Sequence, residues 1–564
     1  YLMPDRRQGT SRIVSAISAW VLLGALAMLN PAASVADSAP TMNVGLAQGQ
    51  TTPPRIFFTD LESGPKSGGQ DNLGVFITIW GKGFGASRGS SVVTLGGQEV
   101  ARYVTWGANN AAARSLDMIV VQPGSNAQTG DLVVTVGGQP SNPLPFTIRS
   151  GAIYFVIAAA PNADDTNPGT YDAPFKTIYK PRTVVQAGDV VYIKGGQFTQ
   201  IDPINPGWDA ILLLDTEDAA TGTANLPVAW IGYPGDPPTL ANPLARRSIL
   251  FFTSGSPQSY YVIANMIFSQ SLNPLSLAGT GHRIIGNILQ DGAFDDSGAI
   301  SINGDCTGFK VFGNLLQRNG TVGEKLHHAI YLGGYGANTN MEVAWNHVQN
   351  QHGGRAIQLF GHLDGDRIDG VLIHDNLLIG SELNNIVIGG SDGSNDVIGT
   401  VHFFNNIVLG AMEPGLRIND PAGTVTIQNN VFYNNGLAQI YLQRAGAGKI
   451  TLEDNIIYAL ADQTYFMFEP GTDSSAFSPR RNLYYNAGPT PPWDTDSLNA
   501  DPLFVDAASR DFHLQNLSSA IDAGIATGRN WDYDGTARPQ GAAFDIGALE
   551  AVQIEGGNGI WLLY

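Results

Sequence analysis

The chain has 564 residues, only 14 % of them charged, with 68 glycines and a formal net charge of −19. So few charges and so many glycines favour a turn-rich all-β protein over a helical one, and the acidity argues against a nucleic-acid partner, which would need clustered Lys and Arg. The single cysteine, Cys306, excludes an internal disulfide and a cysteine-based zinc site, but an acidic polysaccharide could still bind a locally basic cleft.

Residues 1–36 read as an export signal. Arg6, Arg7 and Arg12 precede an apolar run from Ile13 to Leu29, and Ser34-Val35-Ala36 offers a small-residue cleavage site. A membrane anchor is the alternative reading of that run, and no later segment is long and apolar enough to span a bilayer. Residues 37–52 are small and polar, the composition of a linker.

Residues 53–149 alternate short apolar strands with glycine turns, as in VFITIWGKGFG (75–85) and SVVTLGGQEV (91–100), a pattern that predicts a small β-sandwich. With Pro54-Arg55-Ile56, Thr78-Ile79-Trp80-Gly81, Gly83-Phe84-Gly85 and Leu144-Pro145-Phe146, this stretch resembles the IPT/TIG immunoglobulin-like family, whose members commonly act as spacers or binding modules.

From residue 150 to 500 the chain repeats itself. Eight segments share an apolar residue, two variable residues, Asn, then two apolar residues, with asparagines at 265, 287, 314, 346, 376, 406, 430 and 455. A spacing of about 27 residues marks a solenoid. Asn tolerates left-handed turn geometry, and stacked amides can hydrogen-bond from coil to coil, so these asparagines are expected to be structural. A second strand follows each Asn: PLSL, AISI, AIYL, AIQL, NIVI, GLRI, QIYL and YFMF. Alternation turns the aliphatics inward and leaves an outward column of Ser276, Ser301, Tyr331, Gln358, Val387, Arg417, Tyr441 and Met467, one per coil. TNPGTYDAPFKTI (166–178) and AGDVVYIKGGQF (187–198) resemble the opening coil of the pectate-lyase-like right-handed parallel β-helix superfamily. Residues 501–564 resemble a common ending of secreted bacterial β-helix proteins. They are expected to cap the last coil, with Asp532, Asp534, Arg538 and Asp545 in structural roles.

The fold class is therefore all-β, a right-handed parallel β-helix preceded by a small Ig-like β-sandwich. Six of the nine histidines (His327, His328, His347, His352, His362 and His374) fall within 48 residues of its middle coils. Tyr331 and Gln358 are one coil apart, as are His328 and Arg355, and the longest loops flank these strands. His347 is expected to be a buried, backbone-bonded residue, and His374 and His402 to lie on the surface.

The resemblance implies a secreted bacterial, monomeric, carbohydrate-active protein whose partner is an extracellular acidic polysaccharide. Its matching chemistry is β-elimination or C5 epimerisation of a uronate, which needs a cation, a base and an acid. His327 or His328 would be the base, Tyr331 the acid, and Arg355 or Lys325 the cation, with His352, Gln358, His362 and Arg417 binding substrate. Two other readings stay open: a glycoside hydrolase using groove carboxylates such as Asp305, Asp364, Asp366, Asp392 and Asp420, and a non-catalytic glycan-binding or adhesin-like surface protein.

No cofactor is required by these motifs. The histidines lack compact zinc spacing. Ca²⁺ could be held by Asp364, Asp366 and Asp369 or by Asp295-Asp296, but neither has a full calcium-loop pattern. Calcium-dependent lyases of this fold carry a basic residue on each of two consecutive strands, where this chain has Gly333 and Phe360. Polygalacturonase-like hydrolases carry motifs that here are incomplete and out of order.

Overall fold

The structure, a computed structural model, describes residues 53–552 except 108–115, 205, 215–218, 243, 245–246, 251–257, 293–297, 335, 391–396, 420–422 and 461. The expected export signal and linker lie outside the described residues, as do Asp295-Asp296, Asp392 and Asp420.

The N-terminal strands pair as the alternation predicts. One sheet runs Arg55–Thr59, Ile77–Lys82, Asp117–Gln122, Arg102–Trp106, and a second is built around Gly130–Val136, flanked by Leu144–Ile148 and Val92–Leu95. Trp80, Phe76, Phe84 and Phe146 fill the space between them.

The repeats then wind a parallel solenoid of three sheets. Among the described residues, sheet A has twelve strands from Ile153–Val156 to Phe477–Arg480, and sheet B twelve from Gln197–Phe198 to Leu498–Asn499. Sheet C runs through ten from Ala210–Leu213 to Thr464–Phe468. The I-x-L strands belong to sheet C. Their aliphatics, such as Ile330, Leu332, Ile357 and Leu359, are fully buried, each worth about 1.5–3 kcal/mol relative to exposure. The outward column has the expected register: Ser276, Ser301, Tyr331, Gln358, Val387, Arg417, Tyr441 and Met467 pair rung by rung.

The asparagine ladder is real but shifted at its start. Asn287, Asn314, Asn346, Asn376, Asn406, Asn430 and Asn455 each donate Nδ2–H to the Oδ1 of the next, at 3.0–3.1 Å, and that oxygen also takes the donor's backbone N–H. Asn482 ends the ladder and donates to Asp494 Oδ2 at 3.1 Å. Asn265 is not a member. Strand register aligns Asn287 with Met266, whose N–H takes the Asn287 oxygen. The left-handed turn residues are not the ladder asparagines either, but their predecessors: Gly286, Gly313, Trp345, Asp375, Asn405, Asn429, Asp454 and Arg481.

The sandwich is not a tethered spacer. Its core is continuous with the outer face of sheet A through Tyr192, Ile231, Ile285, Phe312 and Ala344. Tyr192 Oη bonds both backbone groups of Phe76, and Asn265 Nδ2 reaches Asp60 at 3.0 Å and Thr78 at 3.1 Å.

The C-terminal segment also departs from expectation. It does not simply close the last coil but lies along sheet B, packing Phe504, Phe512 and Ile546 on Leu377, Ile407, Val431, Ile456 and Leu483. It reaches the sandwich through Asp534, 2.9 Å from Lys82 Nζ. Asp532, Arg538 and Asp545 are structural, as expected. Arg538 pairs with Glu550 at 2.8 Å, both side chains fully buried, while Asp532 and Asp545 accept backbone amides.

Candidate functional site

Sheet C presents its outward column between loops at both strand ends. The turns around 317–327, 350–356, 380–385 and 410–415 lead into the strands. Beyond the strand ends, short pieces at Ala337–Thr339, Arg367–Asp369 and Val397–Ile398 pair into a shelf along the other side.

Tyr331 is the centre of the arrangement. Its Oη lies 2.5 Å from His362 Nε2, a short hydrogen bond between a floor residue and a loop residue of the next coil. Asp366 places that histidine. One of its oxygens accepts the amides of His362 and Leu363, at 2.9 and 2.8 Å, and the other accepts Gly336 N–H at 2.8 Å. The Phe360 ring meets the imidazole edge-on at 5.1 Å. His362 is solvent-exposed, so the Tyr331–His362 pair can be reached from the groove.

His328 packs under the phenol, ring centroids 5.5 Å apart. It is buried, and its Nδ1 has no hydrogen-bond partner among the described residues. Burial, with the Arg355 charge and His327 and His362 adding to it, holds its pKa well below the ordinary value, so the ring is neutral. His327 is turned inward, and its Nδ1 accepts Thr321 N–H at 3.0 Å, fixing the 321–327 turn. Both rings are buried, whereas the role expected of them calls for contact with a substrate in the groove.

One rung on, Arg355 Nη1 donates to Gln358 Oε1 at 2.8 Å and reaches the Lys325 carbonyl at 3.4 Å. Burial, then the charge of Arg417, lowers the Arg355 pKa to about 10, with Glu413 opposing. The Lys325 side chain is exposed, and His352 contributes backbone bonds, its N–H donating to Asn319 O. Two rungs beyond Gln358, Arg417 donates Nε–H to Gln443 Oε1 at 3.0 Å, and its guanidinium lies 5.9 Å from the Tyr441 ring. Tyr441 Oη donates to Glu469, and burial followed by that carboxylate pushes the phenol up to about 12. The structure thus gathers Tyr331, His362, Arg355, Gln358 and Arg417 on one face.

Glu382, Glu413, Gln443 and Glu469 were not singled out in the sequence, and Asp366 was named there only as a groove carboxylate or calcium ligand, not as the residue that places His362. Glu382 accepts Gly323 N–H at 2.8 Å and Gly353 N–H at 2.5 Å, tying two entrance turns together. Their one sequence signal is that they sit in the turns or strand ends of the rungs neighbouring Tyr331 and Arg417.

Among the described residues no three His, Cys, Asp or Glu side chains converge as a metal site. Asp366 and Asp369 spend their oxygens on loop amides and on Arg367, which removes the calcium-loop reading of 364–369. At Gly333, φ is +142° and a Cβ would lie 2.2 Å from Phe360 O. No basic side chain fits at Gly333, one of the two positions expected to align with the basic residues of calcium-dependent lyases. Two surface expectations also part ways. His402 lies in a polar column, 2.6 Å from Thr426 Oγ1. His374 is buried, stacked on Phe404 and bonded to Asp375 and Glu342, because the sandwich and the C-terminal segment cover its rung.

Residues 61–148 match the IPT/TIG domain family. The uncharacterized protein YwoF of Bacillus subtilis (strain 168) is 22% identical over 444 residues, 64% of this chain and 92% of that protein. Among solved structures, pectate lyase Pel9A aligns at TM-score 0.44 and 16% identity over 71% of this chain and 96% of its own. A rhamnogalacturonan lyase aligns at TM-score 0.40 and 13% identity over 65% and 95%. The mannuronan C-5 epimerase AlgE6 A-module of Azotobacter vinelandii aligns at TM-score 0.32 and 11% identity over 56% and 88%. No helix among the described residues is long and apolar enough to cross a membrane.

Proposed function

We propose that this is an exported, carbohydrate-active protein that abstracts the C5 proton of a uronate in an acidic polysaccharide, as a lyase or as a C5-epimerase. The observation that carries the reading is the 2.5 Å Tyr331–His362 hydrogen bond, set on an open sheet face beside two guanidinium groups.

A uronate carboxylate beside Arg355 or Arg417 has its charge neutralised, which stabilises the enolate-like species left when C5 loses its proton. His362 and Tyr331 share one hydrogen-bonded proton on one side of the groove, so one can accept the C5 proton while the other donates to the leaving O4 in a same-face elimination; in epimerisation the opposite face of C5 would take its proton from solvent. His328 acts as a positioning residue, its ring fixing the phenol from beneath. This revises the sequence reading in one respect: the exposed His362, not the buried His327 or His328, carries the proton.

The test is incubation of the full chain with alginate, pectate and glycosaminoglycans in D₂O. Appearance of the unsaturated-uronate absorbance marks elimination, and deuterium at C5 without it marks epimerisation. Neither signal with any of these polymers, with or without added Ca²⁺, would refute the reading for those substrates. Hydrolysis is a second reading, favoured by Glu413 beside Arg355 and Glu469 on Tyr441. Its mark is release of reducing ends without either signal.

A further inference from the structure

Away from the sheet C groove, a cavity of about 350 Å³ lies where the sandwich, the outer face of sheet A and the C-terminal segment meet. Arg55 comes from the first strand of the sandwich, Phe404 from the end of a sheet A strand, Trp345 and Asn405 from the turns of two coils, and Arg529 and Trp531 from the C-terminal segment. Three stretches far apart in sequence therefore build one hollow. Gly535 lets them close: its φ is +80°, and a Cβ there would lie 2.5 Å from the Phe57 ring and 2.6 Å from Arg55 Cδ.

Two features of the lining are unusual for a mere joint. The first is a pair of stacked guanidinium groups. The Arg55 Cζ lies 3.3 Å from the centre of the Trp531 ring, and the Arg529 Cζ 3.9 Å from that of Phe404. Stacking holds a guanidinium plane still while leaving its N–H edge available. Among the described residues, the Arg55 side chain makes no hydrogen bond or ion pair. Arg529 makes one bond, from Nε–H to Gln428 Oε1 at 3.2 Å. Burial lowers the pKa of both, that of Arg55 to about 10, with the charge of Asp375 opposing it at each and that of Asp532 also opposing it at Arg55, while neither guanidinium forms an ion pair among the described residues.

The second feature is Asn405. It is almost wholly buried and donates Nδ2–H to Trp531 O at 2.8 Å, while its Oδ1 has no hydrogen-bond partner among the described residues. A buried acceptor left unmet costs about 1–3 kcal/mol, so a ligand hydroxyl there would be rewarded. Of the carboxylates that line the cavity, Asp532 accepts the amides of Thr536 and Glu550, and Asp375 gives Oδ2 to His374 at 2.7 Å while its Oδ1 has no hydrogen-bond partner among the described residues, a second buried acceptor for a ligand hydroxyl.

We propose that this cavity is a second ligand site, separate from the groove, and that it takes one sugar residue bearing an oxyanion, its carboxylate or sulfate held by Arg55 and Arg529 and a hydroxyl by Asn405. The size suits one sugar-sized group, and the stacked forks suit a planar or tetrahedral oxyanion. The site stands whether or not the groove is catalytic.

The experiment is titration of the full chain, followed by tryptophan emission, with glucuronate, glucose 6-sulfate, inorganic sulfate and glucose. A saturable change is expected with the two charged sugars, a weaker one with inorganic sulfate, and none with glucose. The tighter of the two charged sugars identifies carboxylate or sulfate as the group selected. Arg55→Leu with Arg529→Leu should weaken binding about tenfold or more, since hydrogen bonds to charged groups are worth about 1.5–3 kcal/mol each. Arg417→Ala, which removes a carboxylate contact from the groove, should leave it unchanged, which separates this cavity from the groove. Should the double variant fail to fold, thermal unfolding of the unaltered chain decides: the charged sugars should raise the midpoint and glucose should not. The proposal is overturned by equal responses to glucuronate and glucose, by no saturable response, by undiminished binding in the double variant, or by loss of binding in Arg417→Ala.

Discussion

Replacing Asn376 by alanine removes one rung of the ladder in the middle of the solenoid. The Asn376 amide donates to Val343 O at 2.8 Å, His374 O at 2.9 Å and Asn406 Oδ1 at 3.0 Å, and its Oδ1 accepts Asn346 N–H at 3.0 Å. Alanine leaves the Asn346 N–H buried without an acceptor, at about 1–3 kcal/mol, and forfeits at least two further buried bonds at about 1 kcal/mol each. The expected loss is about 3–5 kcal/mol. In a repeat array such a loss is felt first by neighbouring coils. The assay is therefore hydrogen exchange at the Asn346 amide together with urea unfolding. Exchange should accelerate about 100-fold or more, at about 1.4 kcal/mol per factor of ten. Asn265→Ala serves as the contrast, since Asn265 lies outside the ladder and its loss should loosen the sandwich contact at Asp60 and Thr78 without changing Asn346 exchange. An Asn376→Ala chain whose Asn346 amide exchanges at the unaltered rate would refute the reasoning.

Tyr331→Phe and His362→Ala should each lower C5 proton abstraction about 10²–10⁴-fold, measured as deuterium uptake, and Arg417→Ala should raise KM more than it lowers kcat. His374 should make the sandwich–solenoid junction sensitive to alkali. Burial alone would lower its pKa, but hydrogen bonds to Asp375 and Glu342 outweigh this and raise it from 6.5 to about 9. Its contribution to stability is therefore fully present below pH 6.5 and is lost as pH rises through about 9, and His374→Phe should flatten that alkaline limb in urea unfolding. Arg538→Met should destabilise the C-terminal segment by about 3–5 kcal/mol, because it leaves the Glu550 carboxylate buried and unpaired, and limited proteolysis near residue 550 reads this directly. Cys306, whose thiol burial pushes up to about 12, should resist alkylation by iodoacetamide until the chain unfolds.

The period-two alternation of sheet C was legible because it reports which side of a strand meets the core, and that is decided within one strand. From it the whole outward column followed, and with it the nearness of Tyr331, Gln358 and Arg417. What alternation does not report is the path of a loop. His362 leaves the strand at Gly361 and returns over Tyr331 only because Asp366 gathers three backbone amides, a contact set by turn geometry. The burial of His327 and His328 was not legible for a related reason, since residues entering a strand are buried or exposed according to the turn before them. His374 failed on a longer scale. Its strand face is outward, as alternation says, but segments more than 150 residues away in either direction along the chain cover it, and no local pattern encodes that cover. The one-residue slip at Asn265 has a local cause: VIANMI matches the repeat by eye, while the strand pairing of Ile267 with Ile288 overrides the match.

The ladder's amide-to-amide hydrogen bonds all run one way, each carboxamide accepting from the coil before and donating to the coil after while its second N–H turns back to a backbone carbonyl, so the C=O dipoles add along the solenoid as peptide dipoles add along a helix. The end toward which the donors point is therefore electropositive, and there the chain supplies Asp494, nearly inaccessible, accepting both Asn482 Nδ2–H and Tyr484 Oη–H. It plays for the solenoid the part that an N-terminal aspartate plays for an α-helix. A chain shortened by whole coils from this end would leave an uncapped dipole as well as an open edge, and a shortened solenoid that is to stay folded must carry a carboxylate to its new last rung.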